Sequence, residues 1–485
     1  MGHTGILGWN MGQEIARARF SDTDFENFRQ RLAEETALLD RYVRNGVCSS
    51  QGPITGFELE AWLVDPGMNP APVNAAFLKA FNGSLACLEL AKFNVEFNTV
   101  PQSLQGEALS RLHLDLDELW RKACTVAESL GVNLVAIGIL PTVPAAVLNL
   151  SNISELNRFR ALNEQILSAR RQEPLKLDIP GHQHLAVEHQ DVMLESAATS
   201  FQIHLQVPLE RVRDYFNTAI LISAPLVAVS ANSPFLFGKD LWAETRIPLF
   251  EQAVDTGGFR EASHGPLHRV GFGSGYARHA ITEVFEENFQ HYPILLPIVS
   301  ETPPEQFVHL RLHNGTIWRW NRPLVGFDLD GRPHIRIEHR VIPAGPSIVD
   351  MIANAAFFYG LVETLANEYS EPLIPFAQAK DNFYQAARYG LEAHVVWQDG
   401  AKLPLKPWLL HELLQKADLG LNRLGLAQAD IAHFLGIIEQ RTLSGQTGSE
   451  WQRRFMAKYP GEFSTMTREY LNHQKSGEPV HQWPL

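Results

Sequence analysis

Four short segments of this 485-residue chain alternate between apolar and polar residues, and this period of two constrains the fold more than any other feature. The segments are GFELEAWLV (56–64), KFNVEFNTV (92–100), SFQIHLQV (200–207) and HIRIEHRV (334–341). Because successive side chains of a β-strand point to opposite faces, each segment predicts a strand with one apolar face for a core. Helical patterns separate the strands, so we expect an α+β fold with an antiparallel sheet.

The polar faces of these four strands hold an unusual set of side chains. An ordinary solvated face explains any single strand, but solvated faces favour Ser, Thr and Lys, and lysine is missing from all four sets. If the strands share a sheet, four glutamates, one histidine and two arginines meet on one concave surface. The polar residues are Glu58 and Glu60; Asn94, Glu96 and Asn98; Gln202, His204 and Gln206; and Arg336, Glu338 and Arg340.

Neighbouring carboxylates repel each other unless cations neutralise them. Several carboxylate oxygens suit Mg²⁺ or Mn²⁺, and a histidine can join them as a ligand. The arginines beside Glu338 can grip phosphate or carboxylate oxygens through two N–H groups at once. Carboxylates, divalent metals and arginines are the groups that phosphoryl transfer from ATP requires, so this chemistry is the first expectation.

Five motifs, in order from about residue 54 to residue 365, resemble those of the glutamate–cysteine ligase family, particularly its type 2 branch of bacteria and plants. They are GFELEAW, FNVEFNTVPQ, SFQIHLQV, ANSPFLFGKDLWAETR, and GTIWRWNRP followed by HIRIEHRVIPAG. The resemblance implies a glutamine-synthetase-like fold, a curved antiparallel sheet flanked by helices whose concave face forms the active site. It also implies an ATP-dependent carboxylate–amine ligase of glutathione biosynthesis. Such an enzyme activates the glutamate γ-carboxylate as an acyl phosphate and then joins it to cysteine or another amine.

The same resemblance assigns roles to individual residues. The sequence departs from the family pattern at residues 241–245, LWAET, and at His339, and both changes bear on the substrate pocket. The expected roles are catalysis by Arg340, Glu338 and Arg322; ATP binding by Arg336, Arg340 and Gln202; metal binding by Glu58, Glu60, Glu96, His204 and Glu338; and substrate binding by Arg246, Asn98 and Gln206.

Composition restricts the binding partners and the cellular compartment that we expect for this protein. A formal net charge of −13 argues against nucleic acid and anionic membranes as partners, since their binders carry basic surfaces. Three widely spaced cysteines and no signal-peptide pattern lead us to expect a cytoplasmic protein. We expect a catalytic domain at residues 1–370 and a mainly helical extension packed on it at 371–485. The oligomeric state stays open, with a homodimer as one expectation.

Two other functions are compatible with the same sheet. A phosphotransferase would pass the phosphoryl group to a guanidino or carboxylate group without ligation, and a silent member would bind nucleotide as a sensor or scaffold. Some single residues also have two interpretations. Trp318 and Trp320 suit sheet packing better than adenine stacking, and Arg158 suits a solvated helix face better than a substrate clamp. His182, His184 and His189, in the polar segment 141–198, suit a surface better than a metal site.

Overall fold

The four alternating segments form neighbouring strands of one antiparallel sheet in the computed structural model, which describes residues 14–15, 18–257, 267–398 and 400–485. Within these residues the strands, in chain order, are β1 (Ile54–Val64), β2 (Ala86–Leu88), β3 (Asn94–Asn98), β4 (Gln102–Ser103), β5 (Asn133–Val135), β6 (Leu175–Pro180), β7 (His184–His189), β8 (Phe201–Gln206), β9 (Phe235–Leu236), β10 (Lys239–Asp240), β11 (Val270–Gly271), β12 (Trp318–Arg319), β13 (Asn321–Phe327), β14 (Pro333–His339), β15 (His394–Val396) and β16 (Lys402–Pro404).

The main sheet has the order β13-β14-β8-β1-β3-β2, with β4 and β5 also paired to β1. Glu58 lies opposite Gln202 on β8 and Asn98 on β3, while Glu338 on β14 lies opposite His204 on β8. Because side chains alternate along each strand, this register brings the four polar sets to one face. The sheet curls around that face, as the family resemblance implies.

Helices cover the sheet and make up a large part of the remaining described chain. They are α1 (Asp22–Arg44), α2 (Asn74–Phe81), α3 (Ala108–Ser129), α4 (Asn157–Ala169), α5 (Val212–Leu221), α6 (Ser223–Ser230), α7 (Arg246–Ala253), α8 (Thr282–His291), α9 (Val308–Asn314), α10 (Ile348–Glu368), α11 (Phe376–Tyr389), α12 (Leu405–Trp408), α13 (Leu414–Arg423), α14 (Gln428–Ser444), α15 (Gly448–Lys458) and α16 (Phe463–Ser476).

The convex face of the sheet packs on helices and forms the main hydrophobic core. Phe57, Ile203 and Ile337 from this face are at most 2% exposed, and each buried apolar side chain of this size contributes about 1.5–3 kcal/mol. The helix α10 lies in the same core, and its Tyr359 hydroxyl hydrogen-bonds to Thr55 Oγ1 of β1 at 2.5 Å. The core therefore fixes the strands whose opposite faces carry the polar residues.

The helix α10 is also long and apolar enough to cross a membrane. Its apolar window is 94% buried inside the protein, and the core helix of a soluble protein meets the same criteria of length and composition. The helix is thus weak evidence for a membrane span.

The C-terminal helices are joined to α10 through buried contacts. Arg441 of α14 donates to the Asp350 carboxylate at 2.6 Å, and both side chains are at most 1% exposed. On α13, Gly420 lies directly against the backbone of Gly360 in α10. Breaking a buried ion pair of this kind is strongly destabilising, because it leaves an uncompensated buried charge.

Two segments between the main strands have further structure. The polar segment 141–198 contains α4, which carries Arg158, and the hairpin β6–β7, in which Leu175, Leu177 and Ile179 alternate with exposed residues. Residues 212–230 form two helices, α5 and α6, with a break between them. Pro225 explains the break, since a proline ring clashes with the carbonyl four residues earlier, here Leu221 at the end of α5.

The contact between α10 and α13 gives a test of this packing. A Cβ added at Gly420 would overlap the carbonyl oxygen of Gly360, whereas a Cβ at Gly436 in α14 would have no neighbour within 4 Å. We therefore expect Gly420→Ala to lower the free energy of unfolding by about 1–3 kcal/mol. Gly436→Ala, the matched control, should raise it by up to about 1 kcal/mol. Denaturant unfolding measures both changes, and equal stability of the two variants would contradict the packing.

Candidate active site

A cavity of about 270 Å³ lies over the concave face of the sheet. Six of its lining residues come from the predicted polar faces or the strand beside them, and others come from loops and helices. The strand residues are Glu58, Glu60, Glu96, Gln202, Arg322 and Arg340, and the charged or aromatic residues from elsewhere include Glu89, Arg158, Phe159, Glu195, Arg311 and Trp318.

Two groups of metal-ligating side chains lie at this cavity: the first reaches its lining only through Glu58, whereas all three members of the second line it. Glu58, His204 and Glu338 form the first group, in which ligand atoms lie within 4.8 Å of one another. Glu58 Oε1 is 3.1 Å from His204 Nε2, and all three side chains are at most 4% exposed. The structure thus brings three of the predicted ligands together.

The first group is also bound to arginines. Arg322 Nη2 donates to Glu338 Oε2 at 2.9 Å, and Arg340 Nη1 lies 3.1 Å from Glu338 Oε1. Burial alone would raise the pKa of Glu338, but the two guanidinium groups lower it to about 2. Burial and the neighbouring Glu338 raise the pKa of Glu58. Glu338 is therefore ionised and holds both arginines at the cavity.

The second group consists of Glu60, Glu89 and Glu96, whose ligand oxygens also lie within 4.8 Å of one another. Gln202 Nε2 donates to Glu60 Oε1 at 2.8 Å, and Asn98 Nδ2 donates to Glu96 Oε1 at 2.8 Å. These hydrogen bonds from side-chain amides hold two of the three carboxylates in position. The group therefore offers oxygen ligands in the number and type that Mg²⁺ or Mn²⁺ prefers.

All three carboxyls of the second group have raised pKa values, which a bound cation would lower. Burial, followed by nearby carboxyls, raises the pKa of Glu60 to about 7, that of Glu96 to about 7 and that of Glu89 to about 8. Gln202 Oε1, buried beside them, has no hydrogen-bond donor among the residues that the structure describes. A divalent cation fits this donor set, since it would remove the repulsion that otherwise keeps these carboxyls protonated.

Sequence reasoning missed Glu89, Glu195 and Arg158 as cavity residues. Glu89 follows the short strand β2, and Glu195 lies in a 3₁₀-helix, so neither belongs to an alternating strand. Arg158, expected on a solvated face, lines the cavity from α4, and its Nε has no acceptor among the described residues. No local pattern marks these positions, because tertiary packing brings them to the sheet.

The predicted substrate-binding residue Arg246 does not line the cavity. Its guanidinium is buried and donates to the carbonyl oxygens of Arg340 and Val341 at 3.2 and 2.5 Å. Glu244 lies 3.3 Å from Arg246 Nε, and the guanidinium stacks over Trp320. In this arrangement Arg246 holds the backbone of Arg340 in place.

Five other predicted residues lie outside the cavity lining: His204 and Glu338 of the first group, and Gln206, Arg336 and Asn98. Gln206 donates to Asp328 Oδ1 at 3.1 Å, and Arg336 Nε donates to His204 Nδ1 at 3.3 Å. Asn98 contacts the cavity through Glu96, as described above. Asn98 thus supports a carboxylate that lines the cavity, whereas Gln206 and Arg336 contact residues outside the lining.

Both departures from the family pattern also lie outside the cavity. Within residues 241–245, Glu244 accepts a hydrogen bond from Ser233 Oγ at 2.6 Å. His339 is fully buried and hydrogen-bonded to Asn321 Oδ1 at 2.6 Å, and burial lowers its pKa to about 3. The two changes therefore alter the support of the site and leave the cavity lining itself intact.

The tryptophans and the histidines of 182–189 occupy different environments. Trp318 lines the cavity, whereas Trp320 is fully buried and donates its Nε1–H to Glu251 at 2.9 Å. His182 and His184 are more than half exposed, beside Asp240 and Asp178. They lie on the surface at the β6–β7 hairpin.

Comparisons with known proteins agree with this geometry. The model of the glutamate-cysteine ligase family 2 (GCS2) matches residues 54–477, which includes most of the helices after residue 371. A Nocardia farcinica protein that carries the name glutamate–cysteine ligase 2-2 is 25% identical over 430 residues, covering 85% of this chain and 93% of its own. A crystal structure of glutamate–cysteine ligase from Francisella tularensis, in complex with AMP, has a TM-score of 0.51 and 13% identity, covering 89% of this chain and 91% of that chain. This structural match shows the fold.

The raised carboxyl pKa values predict how pH controls cation binding. With folded-state pKa values of about 7–8 against an ordinary 4.5, the cation-free folded protein binds more protons than the unfolded chain. These carboxyls therefore lower stability as pH rises through that interval, and a cation, which displaces the protons, reverses the loss. We expect the rise in melting temperature on adding Mn²⁺ to grow as pH increases through 7 and 8.

Thermal melts with and without Mn²⁺ across this pH range measure the effect. Glu89→Gln should reduce the rise in melting temperature that Mn²⁺ causes. Glu188→Gln, at an exposed position of β7, should leave that rise unchanged. A stabilisation by Mn²⁺ that is the same at every pH, or the same in Glu89→Gln, would contradict a cation at the second group.

Proposed function

We propose, from the premise that this chain belongs to the glutamate–cysteine ligase family 2, that it joins the γ-carboxylate of glutamate to cysteine or another small amine. Its reaction class is that of an ATP-dependent carboxylate–amine ligase. The observation that carries the proposal is one cavity whose lining combines the carboxyls of Glu58, Glu60, Glu89 and Glu96 with the guanidinium groups of Arg322 and Arg340. This combination suits a triphosphate and a substrate carboxylate bound side by side.

The arginines are proposed to act on the transferred phosphoryl group. Arg340 Nε has no acceptor among the described residues, although its Nη1 is paired with Glu338. Arg322 is held by the same carboxylate from the neighbouring strand. Fixed guanidinium groups stabilise charge on the equatorial oxygens of the phosphoryl group as it moves, without further reorganisation.

The carboxylates are proposed to hold magnesium or manganese with the nucleotide. A bound divalent cation neutralises phosphate charge and orients the γ-phosphate. Glu60, Glu89 and Glu96 are the best-placed ligands, and Glu58, His204 and Glu338 are the second candidates. Gln202 keeps Glu60 in position through its amide N–H.

Ligation then follows in two steps. A γ-carboxylate oxygen of glutamate attacks the γ-phosphorus of ATP, so that ADP leaves and an acyl phosphate forms. The amine nitrogen next attacks the acyl carbon, loses a proton and expels inorganic phosphate, which keeps the former carboxylate oxygen. Positioning and charge stabilisation supply the catalysis, so a covalent protein nucleophile is not required.

Two further parts of the cavity suit the remaining groups of the substrates. The apolar end, with Leu296, Leu312 and Trp318, offers a surface for the flat adenine ring. Arg158, whose Nε lacks an acceptor among the described residues, faces the cavity from α4. We assign it to the α-carboxylate of an amino-acid substrate, because a guanidinium binds carboxylates through two N–H groups.

Phosphate release tests the proposal. Purified protein with ATP and Mg²⁺ should release phosphate only when glutamate and an amine are both present, and mass spectrometry should detect a γ-glutamyl amide. Arg340→Gln should lower kcat by about 10²–10³-fold, since it removes charge stabilisation from the transition state. Arg332→Gln, in the exposed turn between β13 and β14, is the matched control and should keep full activity.

The other outcomes separate the rival functions. A stable phosphorylated product formed without an amine would identify a phosphotransferase. Tight ATP binding without turnover of any pair of substrates would identify a silent nucleotide-binding protein. Either result would overturn the ligase assignment.

A further inference from the structure

A second cavity, of about 240 Å³, lies beside the active cavity and is lined by different residues. Its walls come from α7 and the residue Asp255 after it, from residues 267–273, and from α11. The glycine-rich stretch GFG at 271–273, which has no role in the proposed ligase site, forms part of one wall. The cavity is therefore a separate space with nearly the volume of the active cavity.

Two ionisable side chains in this cavity, one basic and one acidic, have unused hydrogen-bonding capacity. Lys380 makes no hydrogen bond or ion pair with any described residue, and its ammonium group lies 5.7 Å from the centre of the Phe376 ring. Glu251 accepts hydrogen bonds from Trp320 Nε1 at 2.9 Å and from the Tyr384 hydroxyl at 2.7 Å, both at Oε1. Its other oxygen, Oε2, has no donor among the described residues.

The other charged residues of the cavity are already paired. Asp255 lies 3.0 Å from His268 Nδ1 and 3.7 Å from Arg170 Nη1, so its charge is balanced. Lys380 and Glu251 both line this cavity, and the described residues include no ion pair between them. A ligand with one positive and one negative end can therefore bind both side chains, while Leu267 and Phe272 supply apolar surface for its remainder.

We propose that this second cavity binds a free α-amino acid with an uncharged side chain. The ligand carboxylate accepts hydrogen bonds from Lys380, and its ammonium group donates to Glu251 Oε2. Charged hydrogen bonds at both ends distinguish an amino acid from a simple amine or a simple acid. The site is additional to the amino-acid positions that the proposed ligase reaction needs in the active cavity.

Residues between the two cavities contact side chains of the proposed ligase site. Val270 of the second cavity pairs with Trp318, which lines the active cavity. Phe250 of α7 contacts the Trp318 and Trp320 rings, and the Arg340 guanidinium lies 5.6 Å from its ring centre. A ligand that fixes Glu251 and Val270 therefore acts on the position of Trp318 and Arg340, so occupancy should change the rate of the enzyme.

Isothermal titration calorimetry on the full-length protein tests the proposal. The standard uncharged amino acids serve as probes, and the tightest binder is compared with its decarboxylated amine and its deaminated acid. The measurement is repeated in Arg340→Gln, which weakens ligands of the active cavity. We expect binding to persist in that variant and both analogues to bind at least tenfold more weakly.

Variants of the second cavity locate the binding. Lys380→Gln should weaken it by about tenfold or more, since a charged hydrogen bond is lost. Glu251→Gln keeps an acceptor for Trp320 and Tyr384 but removes the charge, and should have a similar effect. Lys402→Gln, at an exposed position of β16, is the matched control and should bind as the unmodified protein does.

Three results would overturn the inference. They are no detectable binding in Arg340→Gln, unchanged affinity in both Lys380→Gln and Glu251→Gln, and equal affinity for the amino acid and either analogue. Unchanged melting temperatures of the variants exclude unfolding as the cause of any loss. The outcome is independent of the ligase assay, because binding is measured without ATP.

Discussion

The concentration of charge on the buried concave face is the constraint on which the rest of the structure depends. Glu58, Glu60, Glu96 and Glu338 lie on three strands of one sheet, and each is at most partly exposed. Buried like charges are costly unless counter-charges lie within a few ångströms. Arginines neutralise Glu338, whereas the carboxyls around Glu60 keep raised pKa values until a cation binds. The proposed metal therefore has its counter-charges at the carboxyls around Glu60.

Holding those charges in place takes support from outside the sheet. Arg246 binds the carbonyl oxygen of Arg340, and Glu244 pairs with Arg246. Glu244 in turn accepts from the backbone N–H of Asn232, whose side chain donates to the Tyr470 hydroxyl of α16 at 2.7 Å. A buried chain of hydrogen bonds and one ion pair thus links the C-terminal helices to Arg340, the proposed catalytic arginine, and the family match to residue 477 includes these helices.

Much of the sheet and part of the site could be predicted from the sequence, because a strand repeats every two residues and reveals its two faces directly. The polar sets around Glu58 and Glu338 are confirmed on one face. Glu89 and Arg158 could not be predicted, since they reach the cavity from a loop and a helix that only tertiary packing places. The motif that contains Arg246 could be recognised in the sequence, but only the structure reveals that the Arg246 guanidinium contacts protein carbonyls.

In the proposed reaction, residues of the concave face promote transfer of the γ-phosphoryl group of ATP to a substrate carboxylate. Glutamate carrying ¹⁸O in its γ-carboxylate tests it most directly, in a reaction with ATP, Mg²⁺ and the accepted amine. The mechanism predicts that one ¹⁸O atom passes from each glutamate into the released inorganic phosphate, because the acyl phosphate loses its bridging oxygen to phosphate. Formation of the amide with phosphate that carries no ¹⁸O would contradict it.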